Sequence, residues 1–155
     1  MKSKKKLLAR AAGLTAVWFM LQAGAPLMAG DVERAVDYRQ GVMNVFSWNM
    51  KAMGSMMKGE TPFDQQLFSE YARELAMAAR FNLANGFPED SESDNSDALA
   101  EIWMDFDDFE AKYRDLGVTA EALQKAAEQG DKATLGMALK ETGKTCKACH
   151  RKYKN

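Results

Sequence analysis

The chain has 155 residues, 46% of them hydrophobic, with 21 Lys and Arg balanced by 22 Asp and Glu. That length suits one domain with one core. The charge balance supplies neither the basic stripe that nucleic acid demands nor the polybasic patch that holds a protein to anionic lipid.

The first 29 residues read as a secretory signal peptide. Lys2, Lys4, Lys5, Lys6 and Arg10 form a positive start, residues 11–21 are uncharged and apolar, and small residues follow at Ala23, Gly24, Ala25 and Ala29. The apolar run is too short for a membrane span, which leaves an uncleaved anchor as the weaker alternative. Cleavage is expected after Ala29, because a cut after Ala25 would put Pro26 directly beyond the scissile bond. Removal leaves residues 30–155 and takes away five basic side chains, so the formal net charge falls from −1 to −6. The mature domain is then an acidic periplasmic protein with no membrane attachment.

Helical periodicity fills the rest. Val36, Arg39, Met43, Phe46, Met50, Met53 and Met57 recur at steps of three and four and predict one long helix from Val32 that stops at Gly59 and Pro62. A second helix is predicted to start between Pro62 and Asp64 and to bury Leu67, Tyr71, Leu75 and Ala78, with Phe81 near its end and Gly86-Phe87-Pro88 closing it. Residues 89–97 carry no apolar side chain and read as an exposed acidic loop. A third helix carries Ile102, Trp103, Phe106, Phe109, Tyr113 and Leu116, with a kink expected at Gly117. After a break at Gly130-Asp131, a last helix carries Leu135, Leu139, Thr142, Cys146, Cys149 and Tyr153. Apolar stripes on helices joined by short breaks predict an all-α fold, an antiparallel left-handed four-helix bundle.

Cys146-Lys147-Ala148-Cys149-His150 sits at the end of that last helix and reads as a site of covalent c-type haem attachment. Two thiols add across the porphyrin vinyl groups, and a neutral imidazole takes an axial position on the iron. On a helix, residues three and four apart share a face, which groups Cys146 with Cys149 and His150. A zinc site needs two further ligands, and the chain has no other Cys or His. A thioredoxin-like dithiol belongs to an α/β pattern that is absent here. A structural disulfide leaves the neighbouring His unexplained. Secreted carriers with His/Met-ligated haem usually have this motif near the start of the chain; here it lies on the fourth helix, so the haem must slot between helices.

These residues together resemble the cytochrome c′ family. The resemblance is carried by the Cys146 to His150 motif, by Asp37-Tyr38-Arg39-Gln40 on the first helix, by Lys58-Gly59-Glu60-Thr61-Pro62-Phe63-Asp64 and by Glu101-Ile102-Trp103, and it spans residues 31–155. It implies one haem c per chain, five-coordinate iron with His150 as axial ligand, Met43 on the distal side, and Arg39 with Gln40 near the propionates. Arg39 and Met43 are one turn apart, roughly 6 Å along the axis, so one helix can reach both places. A guanidinium on an apolar stripe also calls for an anionic partner. Phe46 stands where a Met is common and narrows the distal side. Lys154 stands where an Arg is frequent; lacking a planar fork, it keeps only a general electrostatic influence.

The functions implied are binding of NO and CO and electron exchange with redox partner proteins, from a homodimer formed through the first two helices. Phe68 and the extra methionines are candidates for an outward apolar patch there. Val42, Met43 and Phe46 offer no hydrogen-bond donor, which predicts weak O₂ binding. With His150 committed to iron no histidine remains for acid-base work, so the chain is not expected to be an enzyme. The second reading is a low-spin electron carrier in which the Met43 thioether is the sixth ligand, as in a related branch of the same fold.

Overall fold

Each helix starts and stops where its sequence supplies the chemistry. In a computed structural model, which describes residues 28–129 and 131–155, α1 spans Ala29–Lys58, α2 Gln65–Ala78, α3 Glu101–Met104, α4 Phe106–Gln129 and α5 Lys132–Tyr153. A 3-10 turn at Leu83–Gly86 follows α2. Residues 1–27, nearly all of the expected signal peptide, lie outside the described residues, and Ala29 already belongs to α1.

Gly59 ends α1 with φ 77°, a left-handed conformation. Its N–H donates to Met56 and that of Glu60 to Ser55, so two otherwise orphaned carbonyls are satisfied. Asp64 caps α2 by accepting from the Leu67 N–H at 3.0 Å, and Asp131 caps α5 by accepting from Ala133 at 2.8 Å.

The four long helices form the expected antiparallel bundle. α1 packs on α2, α2 on α4 and α4 on α5, whereas α5 meets α1 only sparsely. The ring therefore has one loose seam. Phe68, Met53, Leu75, Leu83, Leu123 and Leu135 are the large apolar side chains fully enclosed in the core.

Several expected faces shift by one residue. On α1 the buried stripe is Val42, Phe46, Asn49, Met53 and Met56, while Met43, Met50 and Met57 are half-buried beside it. On α2 Phe68 is fully buried and Leu67 is exposed, so Phe68 is core and not an outward patch. α2 also ends at Ala78, which leaves Phe81 49% exposed beyond it. The third helix is interrupted at Asp105, whose φ of −138° and ψ of 58° leave the helical region, and α4 then runs unbroken through Gly117. Within the acidic segment Ser91 is completely buried.

The break at Asp105 has a partner at the far end of the chain. Lys152 Nζ donates to Asp105 Oδ2 at 2.5 Å and to Asp108 Oδ2 at 2.9 Å, and the Tyr153 hydroxyl donates to Asp108 Oδ2 at 2.7 Å with the Asp105 carbonyl 3.2 Å away. The Tyr153 and Lys152 hydrogen bonds hold the Asp108 carboxyl down to about 2. This clamp fastens the last turn of α5, with its Cys-x-x-Cys-His run, to the start of α4.

Two measurements follow from this packing. Truncating Phe68 to Ala should cost ~3–5 kcal/mol of unfolding free energy in urea titrations of the haem-loaded protein, against roughly 1 kcal/mol or less for Phe81→Ala. Because the folded-state value of Asp108, about 2, lies below its ordinary 3.8, its contribution is complete above the ordinary value and fades as pH falls towards 2. Thermal midpoints should decline over that acid window, and Asp108→Asn should flatten the decline while lowering the midpoint at neutral pH.

Candidate functional site

The loose seam between α1 and α5 opens into a cleft of about 660 Å³, walled mostly by apolar side chains. Arg39, Gln40, Met43 and Phe46 face it from α1, and Cys146, Cys149 and His150 face it from α5. All the site residues expected from sequence therefore line one cavity, although 99 residues of chain lie between Phe46 and Cys146. α4 forms the back wall with Phe109, Lys112, Tyr113 and Leu116.

Each wall is fixed from behind. The Tyr113 hydroxyl donates to the Phe81 carbonyl at 3.0 Å, which holds the ring of α4 against the end of α2, and burial pushes its phenol up to about 12. Cys146 and Cys149 are half-buried free thiols. Before haem is attached, burial raises both thiols, Cys149 to about 11, which favours the neutral apolar form over a reactive thiolate. Burial, and after it the charge of Lys154, pushes the His150 imidazole below its ordinary value. A neutral imidazole is the form that ligates a metal.

Arg39 is only 3% exposed and has no carboxylate beside it, contrary to the anionic protein partner a buried guanidinium would ordinarily need. Nη1 donates to the Gly86 carbonyl at 3.0 Å and to Ser91 Oγ at 3.3 Å, and Nη2 donates to the Ser91 carbonyl at 3.0 Å. Its Cζ lies over the rings of Phe87 and Trp103, 4.9 Å and 5.6 Å from their centroids. Nε is buried without a partner. A buried cation with an unused donor on the wall of an apolar cleft suits a ligand that brings its own anionic group. Gln40 instead spends its Nε2 on the Asn95 carbonyl at 2.7 Å.

Sequence reasoning missed the supports of this arrangement. Gly86 allows a close approach of α1, because a Cβ there would stand 3.0 Å from both Arg39 Cβ and Tyr38 Cδ1; in the sequence the glycine suggests only a helix stop. Ser91 looked like one more polar loop residue. Val42 turns into the core, and Asn44 and Ser47 line the cleft in its stead. The α1 wall thus carries polar groups that the expectation of a donor-free distal side did not include. The cleft admits more of the helix circumference than a strict three-four stripe predicts.

The residues present fit a covalently held haem. The cleft is of ligand size, its thiols are three residues apart beside a neutral imidazole, and an unneutralised guanidinium lies on the opposite wall. Among the described residues there is no group of three or more His, Cys, Asp or Glu that could hold a metal ion.

Comparison with known proteins agrees. A family model described as Cytochrome C' matches residues 34–154. Cytochrome c' of Rhodospirillum rubrum is 35% identical over 127 residues, covering 81% of this chain and 85% of that protein. The solved structure of cytochrome c prime from Shewanella frigidimarina superposes with a TM-score of 0.76 at 36% identity, covering 80% of this chain and 96% of that one. The nitric oxide complex of a variant of cytochrome c prime from Alcaligenes xylosoxidans superposes with a TM-score of 0.72 at 29% identity, covering 80% and 96%. With the family matched from end to end of the described bundle, this chain belongs to the cytochrome c′ family and carries covalently bound haem c.

Proposed function

We propose that the protein is a periplasmic haem protein with five-coordinate iron that binds NO and CO and exchanges electrons with redox partner proteins. The observation that carries this reading is the meeting of Cys146, Cys149 and His150 with Arg39, Met43 and Phe46 around one apolar cleft. Bound haem iron supplies one-electron exchange and an axial position for a diatomic ligand. Cys146 and Cys149 would anchor the group, His150 would give an imidazole nitrogen to the iron, and Arg39, with Gln40 beside it, would take up propionate charge. Met43 and Phe46 restrict the opposite side. The Alcaligenes relative was solved as a nitric oxide complex, which supports the same ligand here.

Residues 1–29 act in this reading as a cleaved export signal, and among the described residues no helix is long and apolar enough to cross a membrane. An enzymatic role is not favoured. His150 is the chain's one histidine, and the Tyr113 hydroxyl is already engaged. A second reading, with Met43 as sixth ligand, is favoured by that side chain's half-buried place on the cleft wall.

The homodimer is also proposed. α1 exposes Trp48 at 68% and Val45 at 40%, and the end of α2 exposes Met77 at 55%. Val45 and Trp48 are three residues apart and so share one face of α1, which supports an apolar contact there.

The ferric protein should give a broad high-spin absorption spectrum, and the reduced protein should take up NO and CO in optical titrations. Sharp low-spin bands with a sulfur-to-iron charge-transfer band, both abolished by Met43→Leu, would replace this reading with His/Met ligation. Trp48→Glu should shift sedimentation at low micromolar concentration from dimer to monomer with the haem spectrum unchanged.

A further inference from the structure

Asp97 and Lys154 meet at the rim of the cleft, one from the acidic segment and one from the residue that ends α5. Lys154 Nζ lies 2.8 Å from Asp97 Oδ2, and both side chains line the same cleft as His150. The backbone holds them in register. Ala98 and Lys154 form an antiparallel bridge, the Leu99 N–H donates to Tyr153 at 3.1 Å, and the Asn155 N–H donates to Asp97 at 2.9 Å. The segment carrying Asp97 is itself moored to α1 through Gln40 and Asn95 and through Arg39 and Ser91. Asp97 therefore cannot drift from the cleft as a free loop carboxylate would.

Both side chains are well exposed, at 69% and 46%, so the ion pair itself adds little stability. Its position is another matter. A bare ammonium beside the axial-ligand residue favours the reduced iron, which carries one positive charge fewer. A carboxylate locked onto that ammonium cancels most of this bias. Two other cations near the motif are paired as well: Lys112 faces Asp108 at 3.4 Å, and Lys152 is held by Asp105 and Asp108, whereas Lys147 on the cleft wall makes no ion pair among the described residues.

We propose that Asp97 is a positioning residue for the haem site: it pins the Lys154 ammonium at the cleft rim beside His150 and neutralises it there, and so sets the redox balance of the iron. The proposal rests on His150 being the axial residue of a covalently held haem.

The test is a spectroelectrochemical titration of the full haem-loaded protein at low salt, in the parent, Asp97→Asn, Lys154→Gln and the double variant. Asp97→Asn should raise the midpoint potential and Lys154→Gln should lower it, each changing the ferrous-to-ferric ratio at the parent midpoint by about threefold. The double variant should return close to the parent, and high salt should shrink both single shifts. A structural role alone would lower thermal midpoints without opposite-signed potentials. Single variants that leave the potential unmoved, or that move it in the same direction, overturn the proposal. The parent spectrum guards the underlying reading separately: a chain without covalent haem fails before any variant is compared.

Discussion

A guanidinium that water does not reach organises one side of this bundle. Removing an ion from water costs several kcal/mol unless its donors are used. Arg39 meets that demand with two carbonyls, a hydroxyl and two aromatic faces, none of them charged. Those partners all come from the chain after α2, which has no helix of its own between Gly86 and Glu101. Arg39 is thus the post around which an otherwise irregular segment is wound. The arrangement leaves the positive charge uncompensated and Nε unused. The packing of the loop thus leaves a positive charge on the cleft wall that suits the anionic group proposed for it.

The same segment joins the two sides of the cleft. At one end it grips α1 through Arg39 and Gln40, and at the other it pairs with the residues that follow His150. Beneath it runs a row of rings: Phe87 meets Trp103 at 5.7 Å and Phe109 at 4.8 Å, and Phe109 meets Tyr153 edge-on at 5.5 Å. Trp103 Nε1 closes the row by donating to the Pro88 carbonyl at 2.8 Å. α1 and α5 barely touch directly, so this strap and its aromatic bed substitute for the missing helix contact. The clamp of Lys152 and Tyr153 on Asp105 and Asp108 does for α5 what Arg39 does for α1.

The parts of this design that obey a short repeat could be read from sequence. Three-four spacing located the long helices, Gly59, Asp64 and Asp131 marked their ends, and the Cys146 to His150 run named the cofactor. Faces were legible only to within one residue, because 3.6 residues per turn lets two adjacent stripes fit the same hydrophobic pattern. That ambiguity exchanged Leu67 for Phe68 on α2, and Met43, Met50 and Met57 for Val42, Asn49 and Met56 on α1. Met43 and Met50 are apolar because they line the cleft, whereas Met57 lies against Gly136 of α5. Periodicity cannot separate those two reasons. Ser91 and Asp97 left no signal at all, since a polar run looks equally solvated whether or not one hydroxyl in it is buried against an arginine. Their roles depend on contacts across more than fifty residues of chain.

The size of the cleft links the fold to its cofactor. Over its volume of about 660 Å³, Met43, Phe46, Leu116 and Tyr113 present apolar surface that favours a hydrophobic occupant over water. Such a group belongs to the core as much as Phe68 does. Covalent anchoring at Cys146 and Cys149 then has a physical purpose beyond retention. It fixes the occupant to α5, while Arg39 stands ready on α1, so a single group spans the seam that the helices leave open.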